Sequence, residues 1–426
     1  PKEKAAANLA VVSREEIEKI PATNAAEVIQ YIPGVYVEFN GGLGSQATAS
    51  IQGSDFRQVA VYRDNVPLNM LANPMTDLSY IPVESIERIE VYKGAASSAW
   101  GSALGGVINI VTKEPDLTKP FTGDTQNSYG EFDTFRNNGT VSGTVDRFGY
   151  LLSLTHDQSD GVVDHSDFRQ DAVYAKFNYA VGETGRINFI SSYDEGRNEN
   201  PSALLTGFLN YWEEFHRSRA YQRLLYETTL WDGISYTIEG RHQQFDLVDD
   251  YVQVDSKTRG FDYDEELWGI STRLNHEIPN RNHLVLGFDG DWGGYDFSSY
   301  ASDFDSGNWA VYANDTVDLG PFSLIGGLRY DNNLDFGSEV SPLGGVVWRL
   351  PWKDGLIRAQ IARGFSAPPG AWVNDPVYGN KDLKAETGVN YQVGGELRPL
   401  KFLKLEVNLF QADIDDLINF DLARMK

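Results

Sequence analysis

The sequence predicts a mostly β chain: a transmembrane antiparallel β-barrel preceded by a compact mixed α/β domain. Three observations carry this. From about Phe121 onward, segments of roughly ten residues with alternating polarity follow one another, separated by turns. Aromatic residues make up 12% of the 426, and glycine contributes 41, a composition that suits strands and many turns. The stretch before about residue 115 has another texture, with helix caps and short strands.

The N-terminal region, residues 1–115, can be read element by element. Ser13 with Glu16 is a capping box that starts a short helix ending near Lys19. Asn24 with Glu27 repeats the device and opens a helix over Ala25–Tyr31, which presents Ala25, Val28 and Ile29 on one face. Pro33-Gly34 ends it. Short strands follow at Val35–Glu38, Ala49–Gln52, Val59–Tyr62, Ile89–Tyr92 and Val107–Thr112, with a hairpin turn at Asp64-Asn65. Two loops, Asn40–Thr48 and Leu68–Thr76, are rich in Gly, Asn and Ser. Small residues crowd the stretch between Val91 and Thr112.

Residues 116–426 form the second region. Leu403, Leu405, Val407 and Leu409 share one strand face, and Lys404, Glu406 and Asn408 share the other. Tight turns at Val181–Gly185, Trp231–Gly233 and Pro279–Asn282 alternate with longer acidic linkers at Gln158–Gln170, Glu195–Arg219 and Leu247–Asp264. Short connections at one end and long ones at the other mark an outer-membrane barrel. Tyr150, Tyr179, Tyr193, Tyr226, Trp231, Trp292, Trp309, Tyr330 and Trp348 fall near segment ends, as interfacial girdles require. A soluble sandwich or propeller would also alternate. The count comes to about 15 strands, an odd number where single-chain barrels close with an even one, so further strands are expected beyond the C-terminus.

Composition excludes several function classes. With no cysteine, disulfides, zinc–thiolate sites and cysteine nucleophiles are absent. A net charge of -25 leaves no basic face for nucleic acid. No run of about 18 apolar residues exists, so no membrane-spanning helix is expected. The six histidines are scattered without H-E-x-x-H spacing, and no G-x-S-x-G occurs; the chain is not read as an enzyme. The Gly-rich stretch lacks the Lys of a phosphate-binding loop. The first residues carry no charged head and apolar stretch, so a signal peptide is read as absent or already removed.

Several stretches together resemble the TonB-dependent outer-membrane receptors. They are "ATNAAEVIQYIPGVYV", "ASIQGSDFRQVAVYRDNVPLN", "IPVESIERIEVYKGAASSAWGSALGGVINIVTK", and the later pair "ARGFSAPP" and "GNKDLKAET". Gln52 stands where the family has Arg, Arg63-Asp64-Asn65 replaces an Asp-Gly pair, and Ala385 replaces Pro. The resemblance implies an N-terminal plug domain enclosed by a barrel of about 22 strands in the outer membrane. It also explains the small residues, since Gly94, Gly101, Gly105 and Gly106 would let backbone approach backbone in a crowded lumen. The implied function is binding and import of a scarce, bulky nutrient, energised by TonB with its inner-membrane complex, against outer-membrane lipid. The segment that engages TonB is not legible in "PKEKAAANLAVV".

Within the family the vitamin B12 receptors are the most similar in the loop "FNGGLGSQATASIQG", which carries ligand contacts for cobalamin or a related corrinoid over to Gln46, Thr48, Asp55, Ala72 and Asn73. The alternative is a ferric siderophore, for which Arg217, Arg219 and Tyr221 would serve an anionic chelate. Asp160, Asp164 and Asp167, with Asp157 and Asp171 beside them and Asp194 in the next hairpin, are candidate Ca2+ ligands in the outer loops, although their spacing is not that of an EF-hand. No cofactor is required. A non-transporting surface barrel and a soluble β-rich binding protein are the remaining readings.

Overall fold

The computed structural model describes residues 6–201, 211–253, 256–297, 302–352, 355–376 and 379–419. The N-terminal domain begins with β1 (Asn8–Ser13), α1 (Arg14–Ile17) and α2 (Ala25–Ile29). Both helices start where their caps place them: Glu16 Oε2 accepts from the Ser13 backbone N–H at 2.8 Å, and Asn24 Oδ1 from that of Glu27 at 3.1 Å. In α2, Ala25, Ala26, Val28 and Ile29 are fully buried, and each of the larger two contributes about 1.5–3 kcal/mol of apolar burial. Next come β2 (Val35–Phe39), β3 (Ala47–Ile51), β4 (Val59–Arg63), β5 (Val66–Pro67), β6 (Ile86–Lys93), the one-turn α3 (Ser97–Trp100) and β7 (Gly106–Thr112).

These strands form a five-stranded sheet in the order β1-β6-β7-β4-β5, with β2 and β3 paired separately. Asp64 and Asn65 both have positive φ, 50° and 67°, as the tight β4–β5 hairpin demands. β4 and β7 pair in parallel, and the Gly-rich stretch is the connection that brings β7 back beside them. At Gly106, φ is 145° and an added Cβ would sit 2.9 Å from Ile51 Cδ1 and closer still to the Tyr92 carbonyl. Trp100 stacks obliquely on Tyr62, with ring centroids 4.8 Å apart, and its carbonyl accepts from the Tyr62 hydroxyl at 2.8 Å. The strand β1 was not anticipated from sequence, because "NLAVVS" is a short apolar run with no turn before it.

The second domain is one antiparallel meander. Its strands are β8 (Thr122–Tyr129), β9 (Phe135–Val145), β10 (Phe148–Ser159), β11 (Phe168–Val181), β12 (Gly185–Asn200), β13 (Trp212–Trp231), β14 (Ile234–Gln253) and β15 (Ser256–Ile278). They continue with β16 (Asn282–Phe297), β17 (Ser302–Leu319), β18 (Phe322–Asn333), β19 (Gly337–Arg349), β20 (Leu356–Ser366), β21 (Glu386–Leu400) and β22 (Leu403–Asp415), and α4 (Gly370–Asn374) lies between β20 and β21. The 15 strands form one sheet, each pairing with its sequence neighbours, and β8 and β22 each keep one edge unpaired among the described residues.

The sheet is inside-out relative to a water-soluble protein. Leu224, Val311, Leu328, Ile361 and Val393 are exposed on the outer face, while Lys176, Arg223, Glu239, Arg329, Asp331 and Arg358 are buried on the inner one. The N-terminal domain occupies that inner face. Gln58 donates to Glu386, Tyr80 to Asn198, and the Leu71 backbone to Glu265, at 2.6, 3.0 and 2.6 Å. An added Cβ on Gly94 would run into Asn390 and Gln392 of β21, so the crowding read from sequence is partly internal to the small domain and partly against the wall.

The three acidic linkers need correction. β10 and β11 leave only residues 160–167 between them, and most of Glu195–Arg219 and Leu247–Asp264 is strand. The inner parts of the latter two, 202–210 and 254–255, lie outside the described residues. Charged residues in these stretches hid a continuing ladder: alternate residues still pair edge to edge although neither face is uniformly apolar.

Candidate functional site

The inner face of β12–β15 and the apices of the small domain enclose a cavity of about 370 Å3. Its floor is Arg63, at the end of β4, with Leu68, Met70 and Met75 from the loop after β5. Its sides carry Tyr80, Phe215, Tyr221, Phe245 and Phe261. The alternation of β13 turns Phe215, Arg217, Arg219 and Tyr221 to the same, inward face.

Three arginines meet here. Arg217 Nη1 donates to Asp77 Oδ2 at 2.6 Å, and its guanidinium lies over the Tyr80 ring. Arg219 Nη1 donates to the Leu68 carbonyl at 2.8 Å and lies 4.5 Å from the Phe245 ring centroid. Arg63, 4% exposed, donates to Ser85 Oγ at 2.9 Å and sits 5.0 and 5.8 Å from the ring centroids of Tyr174 and Tyr221. The Nε groups of Arg63 and Arg217 are buried without an acceptor. Asp77 and Asp194 supply counter-charge, and Glu213, held by Asn200 at 3.0 Å, stands at the rim. Cationic side chains between aromatic walls suit a ligand that brings negative charge and flat apolar surface.

Below the floor, the plug is tied to the wall. Asp64 accepts from the Thr112 N–H and Oγ1 at 3.0 and 2.7 Å and from the Tyr174 hydroxyl at 3.0 Å, with Lys176 Nζ at 3.8 Å. Burial alone would raise the Asp64 carboxyl, but Lys176, Thr112 and Arg63 outweigh it and hold it below the ordinary 3.8. Lys176 also reaches Glu114 at 3.0 Å.

Of the five residues assigned to ligand from sequence, Gln46 lines the cavity, donating to Met75 Sδ at 3.3 Å. The other four lie outside its lining. Thr48 is buried in β3. Asp55 caps the 3-10 turn Phe56–Gln58 and pairs with Arg57 at 2.9 Å. Ala72 is fully buried, its carbonyl accepting from the Ala371 N–H of α4 at 2.9 Å and its N–H donating to Tyr263 at 3.3 Å. Asn73 follows it in the same covered loop. Arg217, Arg219 and Tyr221 do come together. Asp77, Tyr80, Asn198 and Phe245 were not singled out, and Asp194 was singled out only for calcium; inward parity on the strands was the one signal that could have placed Asp194, Asn198 and Phe245 here.

The four aspartates proposed for calcium do not form one ligand set. Asp160, Asp164 and Asp167 are exposed between β10 and β11, whereas Asp194 lines the arginine cavity. Among the described residues no group of three or more His, Asp or Glu is placed to hold a metal.

Comparison with known proteins follows the same division. Residues 1–107 match the TonB-dependent Receptor Plug Domain, and residues 101–424 match the TonB dependent receptor-like beta-barrel. The vitamin B12 transporter BtuB of Vibrio cholerae serotype O1 is 25% identical over 415 residues, 89% of this chain and 63% of that protein. BtuB of Photobacterium profundum is 25% identical over 442 residues, covering 97% of this chain and 68% of its own. The chain thus spans about two thirds of the length of these curated relatives. Among solved structures, the ferric enterobactin receptor PfeA of Pseudomonas aeruginosa superposes with a TM-score of 0.81 at 17% identity, over 97% of this chain and 72% of that one. The ferric citrate transporter FecA does so with 0.77 at 19%, over 97% and 70%. With a plug seated against the inner face of a lipid-facing sheet, and a barrel match over most of its length, the chain belongs to the TonB-dependent receptor family of outer-membrane proteins.

Proposed function

We propose that this receptor binds a bulky anionic metal chelate of the ferric-siderophore class in the arginine cavity, and that TonB with its inner-membrane complex supplies the energy for import. The observation that carries the reading is the set of three arginines at one cavity, each with its guanidinium over an aromatic ring. A ligand carrying negative charge would pair with these guanidinium groups, whereas a neutral one would bring no counter-charge. The cavity is smaller than such a ligand and would hold its inner portion. A corrinoid is the second reading, favoured by the 25% identity to the vitamin B12 transporters and by Gln46 at the cavity.

Titration of the full chain in detergent with a ferric tricatecholate, ferric citrate and cyanocobalamin separates the two. One of the ferric chelates is expected to bind saturably, and the double variant R217A/R219A to weaken it at least tenfold, about 1.4 kcal/mol or more. Saturable cyanocobalamin binding that both arginine substitutions leave untouched, with no chelate binding, would overturn the first reading in favour of the second.

A further inference from the structure

Between the plug and the first strands of the wall, three neighbouring residues each keep a buried acceptor oxygen with no donor to satisfy it. Glu84 lies in the 3-10 turn Val83–Ser85. Its Oε1 accepts from Asn138 Nδ2 at 3.0 Å, and its Oε2 is buried without a partner. Asn138, 6% exposed, faces inward from β9, and its Oδ1 is likewise buried and unpaired. So is Oδ1 of Asp157, 7% exposed, which faces inward from β10. The ladder pairs Asn138 with Thr155 and Arg136 with Asp157, so Asn138 and Asp157 are diagonal neighbours on one face.

Arg14, Arg136 and Lys113 bring positive charge nearby, but none donates to the three oxygens. Arg14 is committed to the Val83 and Ile86 carbonyls and to Glu18, at 2.7, 3.2 and 2.8 Å. Glu27 holds the Thr23 N–H at 2.7 Å, and Asp171 pairs with His156 at 2.7 Å. Arg136 lies beside Asp157 in the ladder yet donates to none of the three oxygens. Two carboxylates and an amide carbonyl, buried and short of donors, are hard oxygen ligands.

We propose that Glu84, Asn138 and Asp157 form a site for a hard divalent cation of the Ca2+ type at the seam between plug and wall. The ion takes one ligand from the plug and two from adjacent barrel strands, and water completes its shell. It offsets the mutual repulsion of the carboxylates and fastens the plug to β9 and β10. This is a different place from the outer-loop aspartates between β10 and β11.

The test uses the full chain in detergent, stripped of metal, with CaCl2 titrated calorimetrically at pH 8. E84Q and D157N keep side-chain shape and remove one charge each; D164N in the outer loop is the control, and circular dichroism checks that all are folded. The expected result is one saturable event in the wild type and in D164N, weakened at least tenfold in E84Q and in D157N. Two results overturn the proposal: Ca2+ binding that survives both inner substitutions, or no saturable binding to the wild type.

Discussion

Glu84→Gln is expected to tighten the plug against the wall in alkaline solution and to change little in acid. Burial, followed by repulsion from Asp157, pushes the Glu84 carboxyl up to about 7 from its ordinary 4.5. The folded protein therefore keeps a proton that the unfolded chain has already released. Stability contributed at this position falls as pH rises from 4.5 toward 7, and the loss is complete above 7. Between those limits the difference is worth about 3 kcal/mol, and near pH 5 it is under about 1 kcal/mol. Gln carries no charge to desolvate, and its amide adds donors where acceptors are in excess. The assay is amide hydrogen exchange in the presence of chelator, followed on segments spanning Val83–Ile86 and Lys113, whose N–H donates to the Ser85 carbonyl at 2.9 Å. At pH 8 these amides should exchange up to about a hundredfold more slowly in the variant than in the wild type. Near pH 5 the two proteins should differ less than about fivefold. Equal exchange at pH 8, or the same ratio at both pH values, would refute the reasoning.

Three other substitutions address the plug. Asp64→Asn leaves Lys176, 2% exposed, with Glu114 as its one counter-charge among the described residues, and should cost about 3 kcal/mol, read as easier trypsin cleavage of the plug in urea. Because the Asp64 carboxyl is held below 3.8, its contribution is in place above that pH and lost as pH falls further, so the wild type should approach the variant only in strong acid. Gly106→Ala meets Ile51 at 2.9 Å as well as the Tyr92 carbonyl at a φ of 145°, and is expected to prevent β7 from docking, seen as loss of protease resistance in the first hundred or so residues. Asp55→Ala removes a cap and should cost about 1 kcal/mol in stability without changing ligand affinity, since Asp55 faces its own turn.

The parts legible in sequence were those governed by short-range rules. Ser13–Glu16 and Asn24–Glu27 fix helix starts through contacts three residues apart, and Asp64-Asn65 fixes a hairpin through its own dihedral angles. The strand count also came through, because each of the 15 strands leaves its own alternating trace. What sequence could not supply is register between distant segments. Whether Arg217 meets Asp77 and Arg219 the Leu68 carbonyl depends on how β13 stands against the plug, 140 and 151 residues away in the chain. Ala72 read as a ligand-contacting loop residue because nothing local announces that α4, some 300 residues later, will cover it. The acidic runs misled for the opposite reason: Asp and Glu are poor strand formers in isolation, yet ladder pairing carries β12–β15 through them.

The position of β1 in the plug sheet has a mechanical consequence. It is an edge strand, antiparallel to β6, and its first rung joins Asn8 to Lys93. Tension applied to the chain just ahead of Asn8 would peel that ladder one rung at a time, a low-force route, whereas separating the parallel β4–β7 pair at the centre would require several bonds to shear together. Asn8 is also held by the wall, its N–H donating to Gln392 at 3.3 Å and its side chain accepting from Arg358 at 3.4 Å. A tug at this point is therefore borne first by the barrel, and the strand can come away before the rest of the plug yields.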